Sequence, residues 1–266
     1  MHFYHHPYSV ESQKVRLALE EKDVDYTSHH LNPITGKNLD SFFFRMNPSA
    51  KLPVFQNGSH ILFKTIDIIE YIDRLASVSN GESGAPINAQ VMNWMEKIDG
   101  WDSKIFTLSH MPKKYKQFVI RFIRRVIVSR MSDSPDLASL YHAKLRTIYD
   151  TEDRLMNQEF LEQSQEKLNS LLNDAEVQLN ETPYLTGEDF TMADCMFLPI
   201  LARLSLLNLE DEYINCRPKI SKYYNTVRRR KSYKLVIGRY FLGWKKYPTL
   251  LKTSFFLVVR TIFKRY

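Results

Sequence analysis

Cysteine is scarce in this chain. The two residues present, Cys195 and Cys216, form no C-x-x-C pair, no zinc-type spacing and no disulfide framework. A reducing compartment suits such a sequence. Long apolar runs are missing too, since no stretch reaches the roughly 18 uninterrupted apolar residues that a membrane-spanning helix needs. The opening Met1-His2-Phe3-Tyr4-His5 lacks the basic head and apolar run of a secretory leader, so a cytoplasmic location is expected. Internal repeats and low-complexity tracts are absent. Acidic residues disappear from Tyr213 onward, where 15 Lys and Arg stand against no Asp or Glu. The first 212 residues hold the other 22 basic residues and all 30 acidic ones, a balance of −8. An acidic body is therefore followed by a basic, aromatic tail, and each needs its own explanation.

What is present reads as two folded units. An apolar content of 44% and a charged content of 25% are those of a globular protein, and 266 residues allow one or two domains. Residues 2–6 form a candidate strand stopped by Pro7, after which Val15, Ala18 and Leu19 recur at helical spacing to about Lys22. A second strand is read over 25–31 and a helical or irregular segment over 38–46. Val54-Phe55-Gln56, Asn57-Gly58 and Ile61-Leu62-Phe63 read as a hairpin, because Asn-Gly accommodates the positive φ angles of a tight turn. Ile68, Ile69, Ile72 and Leu75 then line a helix face. This β-α-β-α-β-β-α order occupies residues 1–76, too short for a doubly wound nucleotide domain. Residues 77–86, rich in Ser, Gly and Asn, read as a linker. From 87 to 228 the chain reads helical, with stripes at Val91, Trp94, Met95, Ile98, Trp101 and Ile105 and again from Leu161 to Leu179. Between them, Ser103–Ser132 carries Lys113, Lys114, Lys116, Arg121, Arg124, Arg125 and Arg130 without one acidic residue.

Four places carry candidate chemistry. Ser9 follows the strand and Pro7-Tyr8 at the start of the first helix, where unpaired backbone N–H groups and the helix dipole stabilise an anion. Ser12 is a second hydroxyl nearby. Pro53 opens a strand and cannot donate to a ladder, so it is an edge proline or a cis one; a cis bond would turn the Leu52 backbone outward to pair with an extended peptide. Thr65, preceded by Lys64, can cap the next helix or hold a ligand carboxylate on its dipole. Thr191-Met192-Ala193-Asp194 before an apolar run is a capping box, structural rather than chemical. The pairs His5-His6 and His29-His30 suggest a metal, but adjacent strand residues face opposite sides and neither pair chelates by itself, so no metal is expected.

These motifs, in this order and spacing, resemble the glutathione transferase superfamily over residues 1 to about 228. Tyr4–Lys22, Asn32–Asn38 and Phe43–Gln56 are similar to its plant class called tetrachlorohydroquinone dehalogenase-like. The resemblance implies a thioredoxin-like glutathione-binding domain (1–76) followed by an all-α domain (87–228), with residues 229–266 as an added tail. It implies that Ser9 is the catalytic hydroxyl, donating a hydrogen bond to a glutathione thiolate. Leu52, held by Pro53, would pair with the cysteinyl amide and Thr65 would take the γ-glutamyl carboxylate. Lys51, Lys37 and Asn38 would face the glycine end. The residue before the Ser/Thr is normally acidic in the family and is Lys64 here, which sets a like charge beside the γ-glutamyl ammonium unless Asp67 substitutes. A hydrophobic second substrate would lie near Trp94, Ile98 and Trp101. The implied reaction is conjugation of an electrophile or reduction of an organic hydroperoxide, with glutathione as co-substrate and a homodimer as the assembly. The rival reading is a non-catalytic lipophilic-ligand carrier or membrane-associated adaptor of the same fold.

The tail adds a second expectation. Beyond Pro248, Leu251, Phe255, Val258, Val259 and Ile262 share a helical face with Lys252, Arg260 and Lys264 opposite, the pattern of an interfacial segment on an anionic membrane. Packing on the helical domain, plain solvated charge and nucleic-acid binding remain open. No nucleic-acid module accompanies the tail, which speaks against the last. The basic insert could face the same membrane, or its apolar side could be core.

Overall fold

The computed structural model describes residues 1–79 and 87–241. The first half runs β1 (His2–His5), α1 (Val10–Glu21), β2 (Thr27–His30), α2 (Ser41–Met46), β3 (Val54–Asn57), β4 (His60–Leu62) and α3 (Thr65–Ser79). The sheet order is β2-β1-β3-β4, with β1 and β2 parallel and the other pairs antiparallel. A parallel neighbour demands a crossover, which α1 provides. The hairpin is as expected, except that only Gly58 takes a positive φ (59°) while Asn57 stays in β3, paired with His60. Asn57 spends its side-chain amide on the Tyr71 hydroxyl at 2.8 Å instead of on the turn.

The second half is helical: α4 (Ala89–Asp99), α5 (Ser103–Ser109), α6 (Lys113–Asp133), α7 (Ala138–Met156), α8 (Gln158–Glu181), α9 (Met192–Leu206) and α10 (Pro218–Val227). The apolar stripe from Val91 to Ile105 is not one helix. The chain turns at Gly100, and Asp102 restarts it by accepting the N–H groups of Lys104 and Ile105, each at 3.0 Å. The capping box forms as read from the sequence, and α9 is buried without a break from Met192 to Leu204. Asp194 survives there because Leu185 N, Thr191 N and the Tyr223 hydroxyl all donate to it.

One large core joins the halves, running from Phe3, Leu19 and Ile69 through Met95 and Leu172 to Phe197. A second core lies under the basic insert. Ile120, Phe122, Val126 and Ile127 of α6 and Tyr141 of α7 pack on Leu39, Phe44 and Ala50 of the first half. The apolar side of the insert is thus core, while Lys114, Phe118, Arg121 and Arg125 face outward.

The tail does not begin at 229. Arg230 and Ser232 donate to the Glu21 carboxylate, the Tyr233 hydroxyl lies 3.0 Å from that of Tyr224, and Tyr233, Val236, Ile237, Tyr240 and Phe241 are buried in the main core. The first part of the basic segment is therefore body, because its aromatics cover an apolar surface that α1 and α9 leave open. The amphipathic pattern at 251–262 lies outside the described residues. Among the described residues no helix is long and apolar enough to cross a membrane.

Two predictions follow from this packing. Gly36 has φ +74°, and a Cβ there would meet Val126 Cγ1 at 2.6 Å. Gly36→Ala is expected to cost about 1–3 kcal/mol and several degrees of Tm, partly restored by adding Val126→Ala; a Tm within a degree of wild type would count against the contact. His5 and His6 of the β1 end are held neutral, chiefly by burial and then by the positive charge of their neighbours, with pKa values pulled down to about 2 and about 4. Below the ordinary value of ~6.5 the unfolded chain binds protons that the folded chain refuses, so stability falls on acidification. Urea unfolding should lose about 2 kcal/mol per histidine between pH 7 and pH 5, and His5→Phe or His6→Phe should each flatten that slope; slopes equal to wild type would refute the assignment.

Candidate active site

The site is built at the start of α1. Pro7 is buried, and the chain turns so that Ser9 N donates to His6 O at 3.0 Å. Ser9 has extended backbone angles (φ −84°, ψ 121°) and is the N-cap, its Oγ accepting from Ser12 N at 3.3 Å. A hydroxyl that accepts one N–H still has its own proton to give. Ser12 is withdrawn from that role. It is buried, and its Oγ lies 3.4 Å from the His6 N–H that donates to it. The loop is anchored from behind: Gln13 Nε2 donates to Pro7 O at 2.6 Å, the buried Arg203 of α9 donates to Tyr8 O, and the Tyr8 hydroxyl donates to Tyr240 O at 3.1 Å. Burial brings the Arg203 pKa down to about 10, still high enough to keep it charged at neutral pH.

Leu52-Pro53 is cis. Of the two alternatives open for Pro53, this is the one the chain adopts, and Leu52 lies just outside a ladder that starts at Val54. The preceding loop is braced: Asn47 Nδ2 donates to Lys51 O at 2.8 Å, and Asn38 Nδ2 donates to Ala50 O at 2.7 Å. Asn38 is buried and its Oδ1 has no partner among the described residues. Lys51 is exposed; Lys37 is exposed too and lies 4.0 Å from Asp40.

Thr65 is not the cap of α3, because Lys64 O takes the first helical hydrogen bond from Ile68 N. As the first helical residue, Thr65 sends its hydroxyl instead to Glu11 Oε2 at 3.1 Å. Lys64 is exposed. Glu11 is the residue that sequence reasoning missed. It receives Thr65, the Ser103 hydroxyl at 3.4 Å and the buried Lys14 Nζ at 3.0 Å. Its signal was there to read: an acid in the first turn of a helix, two residues past Ser9. Asp67 and Asp99 stand close by. The Asp99 carboxyl is pushed upward by desolvation, against the pull of Lys14, and further by the charges of Glu11 and Asp67. The helix start thus carries the acidic character that Lys64 removes from the chain position just before Thr65.

Trp94, Ile98 and Trp101 are core residues, 8%, 0% and 3% exposed. Trp101 Nε1 donates to Ser164 O at 3.2 Å, which ties the indole to α8. The periodicity that singled them out marks the buried face of α4. The histidines meet across the parallel pair, His2 Nδ1 lying 3.0 Å from His29 Nε2, yet no group of three or more metal-competent side chains occurs among the described residues. Cys195 is fully buried, and burial pushes its thiol well up, so it is an inert core residue.

The family description "Glutathione S-transferase, N-terminal domain" matches residues 1–74, and "Glutathione S-transferase, C-terminal domain" matches residues 138–234. "Glutathione S-transferase TCHQD" from Arabidopsis thaliana is 57% identical over 266 residues, covering 100% of both chains. "Tetrachloro-P-hydroquinone reductive dehalogenase" from Sphingobium chlorophenolicum is 25% identical, covering 91% of this chain and 96% of its own. Glutathione transferase F2 from Populus trichocarpa shares the fold with a TM-score of 0.61 at 21% identity, over 88% of this chain and 96% of that one. Gtt2 from Saccharomyces cerevisiae does so at 0.62 and 19%, over 89% and 100%. A Ser-capped helix start, a cis-proline loop and a helical half, found with a full-length likeness of this degree, place the chain in the glutathione transferase family, within its tetrachlorohydroquinone dehalogenase-like class.

Proposed function

We propose that this transferase is of the serine type, with Ser9 donating its hydroxyl proton to the sulfur of a bound glutathione thiolate. The observation that carries the reading is the Ser9 cap, a hydroxyl that accepts Ser12 N–H and keeps its own proton free at the positive end of α1. A thiol of pKa ~8.5 is about 3% ionised at pH 7, and lowering that pKa by ~2 units raises the fraction to about 75% for ~2.7 kcal/mol of differential stabilisation. Reduced basicity returns about 0.9 log units of nucleophilicity, so ionisation yields only a several-fold gain. Placing the electrophile against the held sulfur supplies the rest.

The peptide would lie along Leu52, with its γ-glutamyl carboxylate on the unpaired N–H groups that open α3 at Thr65. Glu11 then takes the γ-glutamyl ammonium, replacing the acid absent at position 64, while Lys51, Lys37 and Asn38 lie toward the glycine end. The substrates are hydrophobic electrophiles or organic hydroperoxides. In the first case the sulfur–carbon bond forms as a halide leaves with its electron pair. In the second the sulfur attacks the distal oxygen and the alcohol departs, leaving a sulfenic acid that a second glutathione reduces. A homodimer is proposed on family membership. Attachment to the cytosolic face of an anionic membrane is proposed on the basic segment beyond Phe241 and on the outward cations of α6.

Ser9→Ala is expected to lower kcat/KM with 1-chloro-2,4-dinitrobenzene or cumene hydroperoxide by about 10²-fold while lowering Tm by only a few degrees through the lost helix cap. Equal rates in wild type and variant would overturn the serine assignment, and no turnover by either would favour the carrier reading. Full-length protein should co-sediment with phosphatidylserine vesicles, and a chain ending at Phe241, which retains the buried Tyr240 and Phe241, should lose most of that binding in 0.15 M salt. Retention by the shortened chain would discard the role of the final residues.

A further inference from the structure

The strand pair that opens the fold sets two imidazoles side by side. Adjacent histidines point to opposite faces of a strand, but residues two apart share a face. In the parallel ladder His2 stands opposite Thr27 and Tyr4 opposite His29, so His2, Tyr4 and His29 lie on one side of the sheet. His2 Nδ1 is 3.0 Å from His29 Nε2, with the ring planes 41° apart and the centroids at 5.2 Å. The His29 ring is held in place. It stacks on Tyr4 at 4.7 Å and 18°, and Tyr4 in turn leans on the buried Phe43 of α2. The backbone is pinned beside it by Thr27 N, which donates to Met1 O at 2.8 Å. His2 is exposed, so its ring has room to turn.

The separation carries chemical information. Metal–imidazole bonds are about 2.0–2.1 Å long, so two of them at a right angle hold their nitrogens about 2.9 Å apart, whereas a tetrahedral angle needs about 3.4 Å. A spacing of 3.0 Å therefore suits neighbouring positions of a tetragonal ion better than those of a tetrahedral one. Such ligands must be neutral, and burial, followed by the neighbouring His2, lowers the His29 pKa. A neutral pair at this distance shares one proton. When an ion enters, that proton moves to the outer nitrogen of the ring that carries it. Both inner lone pairs then face the metal, and no net proton is released.

We infer that His2 and His29 form a surface site for a tetragonal divalent transition metal, copper(II) or nickel(II), with water in the remaining positions. Two protein ligands hold an ion less tightly than the three or four of a dedicated zinc centre, so occupancy follows metal supply. The structural consequence falls on β2, an edge strand whose one sheet neighbour is β1. A bound ion clips it to the strand that leads into the Ser9 loop. The site shares no residue with the glutathione cleft, and neither reading depends on the other.

The test titrates untagged full-length protein with NiCl2 by calorimetry, beside His2→Gln, His29→Phe and a control, His60→Gln, on the opposite edge strand β4. His29→Phe retains a ring on Tyr4, and circular dichroism without metal checks that each variant is folded. Wild type and control should bind one Ni2+ alike, and each pair variant should bind it about tenfold more weakly or worse. A rise in Tm of several degrees in excess Ni2+ should appear in wild type and control and vanish in both pair variants, because an ion that binds only the folded chain stabilises it. With one equivalent of Cu2+, electron paramagnetic resonance should show coupling to two nitrogens in wild type and to one in each pair variant. Equal Ni2+ affinity in wild type and either pair variant would overturn the site, as would a copper spectrum that neither substitution changes. Equal weakening in His60→Gln would also overturn it, by assigning the binding to scattered surface histidines.

Discussion

An ammonium taken out of water must keep its counter-charge, and that requirement organises the start of α1. Lys14 is 1% exposed and its partner is Glu11, one turn earlier, with Nζ 3.0 Å from each carboxylate oxygen. Leaving such a charge unpaired costs on the order of 3–5 kcal/mol, which fixes the direction of the Glu11 carboxylate. Its remaining lone pairs then draw in Thr65 from α3 and Ser103 from α5. Three elements from both halves are registered on one carboxylate, two residues past Ser9. A site that needs sub-ångström placement of a hydroxyl benefits from sitting on so constrained a turn.

The rear of the same loop is held by a second buried cation. Arg203 comes from α9, the helix with no exposed face through Leu204, and it reaches the carbonyl of Tyr8 while its guanidinium lies 5.9 Å from the Phe241 ring. Tyr8 in turn stacks on Phe241 at 5.7 Å. Residues 230–241 are therefore structural support for the serine loop, which is why the basic composition of this region misleads. Its cations, such as Arg230 on Glu21, neutralise the end of α1, and its aromatics fill the core.

Much of this was legible in the sequence, and the failures have common causes. Turn chemistry announced the Ser9 cap, the proline loop and the capping box, because each depends on local backbone needs that few residue types satisfy. The Asn57-Gly58 turn was correctly located but wrongly partitioned: Tyr71, 14 residues away, claims the asparagine amide. Thr65 looked like a cap since spacing says nothing of Glu11, 54 residues distant, whose carboxylate accepts the hydroxyl proton while Lys64 O takes the first helical hydrogen bond. The stripe of Trp94, Ile98 and Trp101 was real, yet a stripe reports burial without saying whether the partner is a ligand or another helix. Here it is α8 and α9.

The basic insert shows how far composition can stand from placement. Seven cations against a single acid over α6, Asp133 at its end, suggest a surface helix, and one face of it is indeed solvated. The other face closes on Gly36, Leu39 and Phe44, so α6 and α7 clamp the very loops that bear Asn38, Lys51 and Leu52. Arg130 on Asp40 and Lys144 on Ser49 O then carry positive charge from the helical half to those loops, while Glu11, Asp67 and Asp99 gather negative charge beside the start of α1.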